Sequence, residues 1–236
     1  MGANSHVDKS IENPYPFVYD NILGTVNVLE LARNINIEKM IYVSTDEIYG
    51  PVEGDFLHKE NEPQKPGNPY SASKAAGENF CLAYHNTYNV PVMITRTMNN
   101  FGERQDSEKF LPKVVNSIKN NELLTIHCKK DSEGVVVDIS SRCWLHARNH
   151  ADAIVFLLEN GEDGEIYNVV GERMNVYDLA MKVGEILKKD IRIKLEDYHS
   201  FRPGHDMHYG LDGMKLLNMG WNPPVSLNDS LERTVK

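Results

Sequence analysis

Of eleven tyrosines in the 236 residues, only Tyr70 is followed four positions later by a lysine, Lys74, within Pro69-Tyr-Ser-Ala-Ser-Lys74. On a helix, positions i and i+4 share a face, so an ammonium there can stabilise a phenolate and lower a pKa that is otherwise about 10. Such a phenolate is a base, able to take a hydroxyl proton while hydride leaves the same carbon. Upstream stands Ser44-Thr-Asp-Glu47. Two neighbouring carboxylates in different surroundings can titrate apart and serve as acid and base. Either pair alone is ordinarily a solvated surface feature, and their combination carries the specificity.

These residues need a scaffold. Asn13 and Pro14 open a helical pattern that runs to about Asn34, with Phe17, Val18, Ile22, Val26, Leu29 and Ala32 as its apolar face. Lys39 to Ser44 reads as a buried strand, whose end is where open α/β sheets hold ligands. A second helix, roughly Tyr70 to Tyr88, leads to a strand at Val90 to Arg96, and strand, helix, strand implies a parallel right-handed crossover. Further helices are expected at Leu111 to Lys119 and Asn149 to Leu158, and one capped by Asn175 to about Lys188. Strands are expected at Leu123 to His127 and Glu165 to Val170. The expected fold is α/β, a partial Rossmann-like doubly wound parallel sheet with a smaller C-terminal substrate-binding region. Residues 1–108 would form the sheet part and 109–236 mainly the second region.

Composition excludes several classes. A formal charge of -9 opposes general nucleic-acid binding, which draws on Lys and Arg. No apolar run approaches the roughly 20 residues of a membrane span, and the first ten residues lack a secretory pattern, so a cytoplasmic protein is expected. Cys81, Cys128 and Cys143 form neither a Cys-x-x-Cys pair nor a disulfide framework. His146 and His150 have metal-ligand spacing, yet Ala147 stands where a zinc-protease motif has Glu, so no metal is expected. The sixteen glycines supply no Gly-x-Gly-x-x-Gly and no Gly-x-x-Gly-x-x-Gly turn for a dinucleotide pyrophosphate.

Five segments in order, Ser5-His-Val-Asp-Lys-Ser-Ile11, Ser44-Thr-Asp-Glu-Ile-Tyr-Gly50, Pro69-Tyr-Ser-Ala-Ser-Lys74, Asn99-Asn-Phe-Gly102 and Arg202-Pro-Gly-His205, resemble signatures of the dTDP-glucose 4,6-dehydratase family of extended short-chain dehydrogenases/reductases. The resemblance implies an NAD-dependent lyase acting on a nucleotide-diphosphate sugar. It implies that Tyr70 and Lys74 serve the hydride step, that Thr45 bonds the sugar, that Asp46 protonates the departing C6 hydroxyl and that Glu47 removes the C5 proton. Ala3, Ser5, Ser44, Tyr70, Lys74 and Asn100 would line the NAD site. Asn99, Lys109, Phe110, Arg142, Asn175, Arg202 and His205 would surround the nucleotide sugar together with Thr45.

The family's first, cofactor-binding segment has no counterpart, so the sheet is expected to begin partway. Two other readings stay open: a truncated, non-catalytic sugar-nucleotide-binding fragment, and a UDP-sugar epimerase or decarboxylase that shares Tyr70 and Lys74 without needing both carboxylates. An exposed sheet edge and apolar helix faces also predict a homodimer or other self-association.

Overall fold

The structure is a computed structural model that describes residues 2–52, 56–197, 208 and 210–236. The chain divides into two units. The first comprises Met1–Met98, Ala151–Val170 and Tyr209–Asn222, and the second Asn99–His150, Gly171–His208 and Pro223–Lys236.

In the first unit α1 (Val7–Glu12) is followed by one helical run in three parts. These are α2 (Tyr15–Phe17), a π-helical stretch (Val18–Leu23) and α3 (Gly24–Asn34). The sequence pattern places Val18, Ile22 and Val26 on the inner face. Instead Phe17, Asn21, Thr25, Leu29 and Ala32 are buried, and Val18 is exposed. The π stretch explains the difference, because its wider turn brings positions four apart into line where an α-helix would drift past them.

Strand β1 (Met40–Thr45) ends in a 3-10 turn, Asp46–Tyr49, and α4 (Pro69–Tyr88) crosses to β2 (Val92–Thr97). The two strands pair in parallel from Met40↔Val92 to Thr45↔Thr97, and a third strand, Ile166–Val169, pairs in parallel with the other side of β2. All six residues of β2 are buried, as expected of the central strand of a parallel sheet. Leu29, Ala32, Tyr42, Cys81, Val90, Val92 and Ile94 form the core beneath it. Gly77 is required there, since a Cβ at that position would lie 2.1 Å from the Tyr42 hydroxyl.

The second unit opens with β3 (Asn100–Phe101), α5 (Phe110–Asn120) and the strands β4 (Leu123–Lys130), β5 (Val136–Ile139) and β6 (Ser141–His146). Helix α6 (Ala147–Asn160) and the first unit's third strand, now β7, precede β8 (Glu172–Asn175), α7 (Val176–Leu187) and β9 (Arg192–Asp197). Short helices α8 (Met214–Asn218) and α9 (Leu227–Val235) end the chain, the former in the first unit. Two three-stranded sheets result, β3-β6-β8 and β5-β4-β9. The antiparallel pairs in both depart from the parallel pattern, because β4 and β5 form a hairpin around Asp131–Val135 and β8 returns along β6. A separate core of Leu111, Val114, Ile126, Trp144, Leu179, Val183 and Leu231 supports these sheets.

Candidate active site

The end of β1 delivers the carboxylate pair. Thr45 caps the 3-10 turn by accepting from the Glu47 N–H at 3.4 Å, and its hydroxyl donates to Asp46 Oδ1 at 3.1 Å. Asp46 is buried and Glu47 half-buried, so the two carboxylates occupy different surroundings. Glu47 Oε2 accepts from the Asn68 amide at 3.1 Å. Asn68 is the N-cap of α4 and forms a capping box with Ser71, so the cap that starts the helix also holds the acid.

Tyr70 sits in the first turn of α4, and its backbone N–H donates to Ser10 Oγ at 3.1 Å. Burial first, and then the Glu47 and Asp46 carboxylates, push its phenol above the usual tyrosine range, while a hydrogen bond from Thr45 opposes them. Thr45, Asp46, Glu47 and Tyr70 are therefore gathered in one place within the first unit. Lys74, one turn on, is buried, donates to the Val43 carbonyl at 2.7 Å and lies 4.1 Å from the centre of the Tyr42 ring. Burial lowers its pKa to about 8, against the attraction of Glu78. The phenol is raised because it is desolvated beside two carboxylates, and the ammonium is directed to a backbone carbonyl.

The other expected residues fall as follows. Ser44 is buried and its hydroxyl has no partner among the described residues. Ala3 and Ser5 are exposed in an extended segment, which is held where the Asn4 N–H and C=O each bond the Asn21 amide at 2.9 Å. In the second unit Asn99 is exposed with φ 34°, and Asn100 contacts His150 Nδ1 at 2.9 Å. Lys109 precedes α5, Phe110 leans on Trp144, and Arg142 donates to the Ser141 carbonyl at 2.7 Å. Asn175 caps α7, accepting from Asp178 N–H at 2.7 Å. Arg202 and His205 lie outside the described residues. Burial pushes His150 down to about 4. Among the described residues no group of three or more His, Cys, Asp or Glu could hold a metal ion.

Sequence reasoning missed the polar residues behind the site: Ser10, Asn21, Asn68, Glu78 and Arg96. A signal existed for two of them. Asn21 interrupts an apolar helix face, and Arg96 is the one charged residue of an otherwise uncharged strand pattern, Val90 to Arg96.

The family model described as GDP-mannose 4,6 dehydratase matches residues 1–234. The chain belongs to this GDP-mannose 4,6 dehydratase family. Human dTDP-D-glucose 4,6-dehydratase is 34% identical over 242 residues, covering 100% of this chain and 66% of the human protein. Among solved structures, DesIV, a dTDP-glucose 4,6-dehydratase from Streptomyces venezuelae determined with NAD bound, superposes with a TM-score of 0.88 at 34% identity. It is matched over 100% of this chain and 70% of its own. The UDP-glucose 4-epimerase of Thermus thermophilus, also with NAD, gives 0.88 at 29% identity over 100% and 75%. The chain spans 65% to 74% of the length of the curated relatives it matches. The motif-based resemblance and the Rossmann-like α/β fold are both borne out by these matches.

Proposed function

We propose that this family member is an NAD-dependent nucleotide-sugar 4,6-dehydratase, with a dTDP-glucose-like sugar nucleotide as substrate. The observation that carries the reading is the convergence of Thr45, Asp46, Glu47 and Tyr70 beside buried Lys74. Tyr70 takes the proton of the sugar C4 hydroxyl, and Thr45 holds that hydroxyl. Oxidation at C4 makes the C5 hydrogen acidic, Glu47 removes it, and Asp46 protonates the departing C6 hydroxyl, so that water is lost across C5–C6. The two carboxylates suit opposite roles because one is buried against Thr45 and the other is held by Asn68.

The residues present fit the nicotinamide end of NAD: the orphaned Ser44 hydroxyl, the Tyr70 phenol and Lys74 cluster around the end of β1. When bound, NAD supplies the hydride acceptor at C4, the hydride donor at C6 and a positive charge that draws the Tyr70 pKa down. Ala3, Ser5 and Asn100 are further NAD contacts in this reading, and Asn99, Lys109, Phe110, Arg142, Asn175, Arg202 and His205 bind the nucleotide sugar. Residues 1–108 then serve the cofactor half, and residues 109–236 mainly the sugar nucleotide. Three free, buried cysteines fit a reducing, cytoplasmic setting. No helix among the described residues is long and apolar enough to cross a membrane.

Incubating the chain with NAD and dTDP-glucose, with mass spectrometry for loss of one water, tests the assignment. Inversion at C4 without water loss would favour the epimerase reading, which the Thermus structure keeps in play. Absence of NAD binding by calorimetry, with the sugar nucleotide still bound, would favour the non-catalytic one.

A further inference from the structure

We infer that Arg96, acting through Glu78 and Tyr49, is a positioning residue that sets the carboxylate pair Asp46–Glu47 against Tyr70 and Lys74. The inference rests on the reading of those four as the reacting groups. Arg96 is 2% exposed in a strand whose six residues are all buried. A buried guanidinium costs several kcal/mol of desolvation in proteins unless its donors are paired, and an apolar residue would usually serve stability as well. An arginine at this place therefore points to geometry.

The pairing is two-sided and engages all three guanidinium nitrogens. Nε donates to both Glu78 oxygens at 3.1 and 3.2 Å, and Nη2 donates to Glu78 Oε2 at 2.7 Å. Nη1 donates to the Tyr49 hydroxyl and to the Glu60 carbonyl, the latter at 2.9 Å, and the guanidinium lies 4.7 Å from the Tyr49 ring centre. Glu78 continues the α4 face of Tyr70 and Lys74 at steps of four, whereas Tyr49 closes the 3-10 turn that begins at Asp46. One planar side chain is thus bonded to both elements that carry the reacting groups. Its fork fixes angle as well as distance, which a lysine cannot do. Outer bonds hold the clamp in turn: Gln64 donates to Glu78 at 2.8 Å, and Tyr49 donates to Asn168 at 3.2 Å.

The test needs a readout that does not depend on turnover. Difluorotyrosine placed at position 70 of the full chain brings that phenol into an accessible range and reports its midpoint by fluorine NMR. The midpoint is compared in the parent, in Tyr49→Phe, which keeps the Glu78 pair and removes the hydroxyl that links Arg96 and Asn168 to the turn, and in the apolar pair Arg96→Leu with Glu78→Met. In the folded variants the carboxylates drift from Tyr70 and water enters, and both changes lower its pKa. The expected shift is about half a unit downward, roughly a threefold change in the ionisation constant. Should the double variant fail to fold, Tyr49→Phe decides alone. An unchanged midpoint in a folded variant overturns the inference, whatever the chain's activity. A shifted midpoint in a chain that neither binds NAD nor eliminates water leaves the positioning role standing and removes the dehydratase reading.

Discussion

Glu47 is the residue on which the proposed chemistry turns, because it alone is assigned the C5 proton. Replacing it by Gln keeps the Asn68 contact and removes the base, which typically costs about 10² to 10⁴ in rate. The expected outcome is reduced cofactor accumulating without dehydrated product, read by absorbance and mass spectrometry. Product at the parental rate would transfer the role elsewhere. Lys74 gives a prediction in pH. Its folded pKa of about 8 is depressed below the free-lysine value of about 10.4, so between those values the unfolded chain binds more protons. Stability therefore rises with pH as Lys74 sheds its buried charge. From pH 8 to 9.5 the parent should gain about 1.5 kcal/mol relative to Lys74→Met in denaturant unfolding, a difference that vanishes if the ammonium is well solvated.

At the scale of elements, the π-helical stretch does for the Asn4 segment what a neighbouring strand would do. By turning Asn21 inward it offers an amide donor and acceptor to the Asn4 backbone, and a further bond at 2.9 Å to Ser73 on α4. Asn21→Leu would restore a conventional apolar helix face and leave those groups unpaired. The expected loss is about 1 to 3 kcal/mol, with faster amide exchange at Asn4 and at Tyr70's neighbours in α4. A leucine variant as stable as the parent would show that water replaces the amide. Helix α4 carries a similar economy of means, since Asn68 both starts the helix and holds Glu47, and Ser10 takes the Tyr70 N–H that the first turn leaves unpaired.

For the whole molecule, the surface consequence lies in large apolar side chains that stand exposed on the helices. Tyr15, Tyr19, Leu23, Leu31 and Ile35 on the first helical run are 51% to 70% exposed, and Phe80 and Tyr88 on α4 are exposed as well. We propose that these faces support self-association, the homodimer being the simplest case. Light scattering coupled to size exclusion should show a dimer that Tyr19→Glu with Leu31→Glu converts to a monomer. A parental monomer at all concentrations would end that proposal.

The sequence alone determined the elements whose signal is local. The capped helices α4, α5 and α7, the strands β1, β2, β4 and β7 and the parallel crossover all lie close to where periodicity and caps put them, because each is set by contacts within one turn or one pairing. It also named Thr45, Asp46, Glu47 and Tyr70 as a group. Tertiary structure decided what depends on neighbours distant along the chain. Strands β3, β5 and β8 span only two to four residues and are made strands by their partners, and β6 and β9 are likewise recognised through their pairing with β8 and β4. The inner face of the first helical run follows from a π turn that hydrophobic spacing does not encode. The upward push on the Tyr70 phenol comes from burial and from two carboxylates on another element, which the spacing of Tyr70 and Lys74 does not encode. The clamp of Arg96 on Glu78 and Tyr49 joins residues 18 and 47 positions apart, and no local pattern could have brought them together.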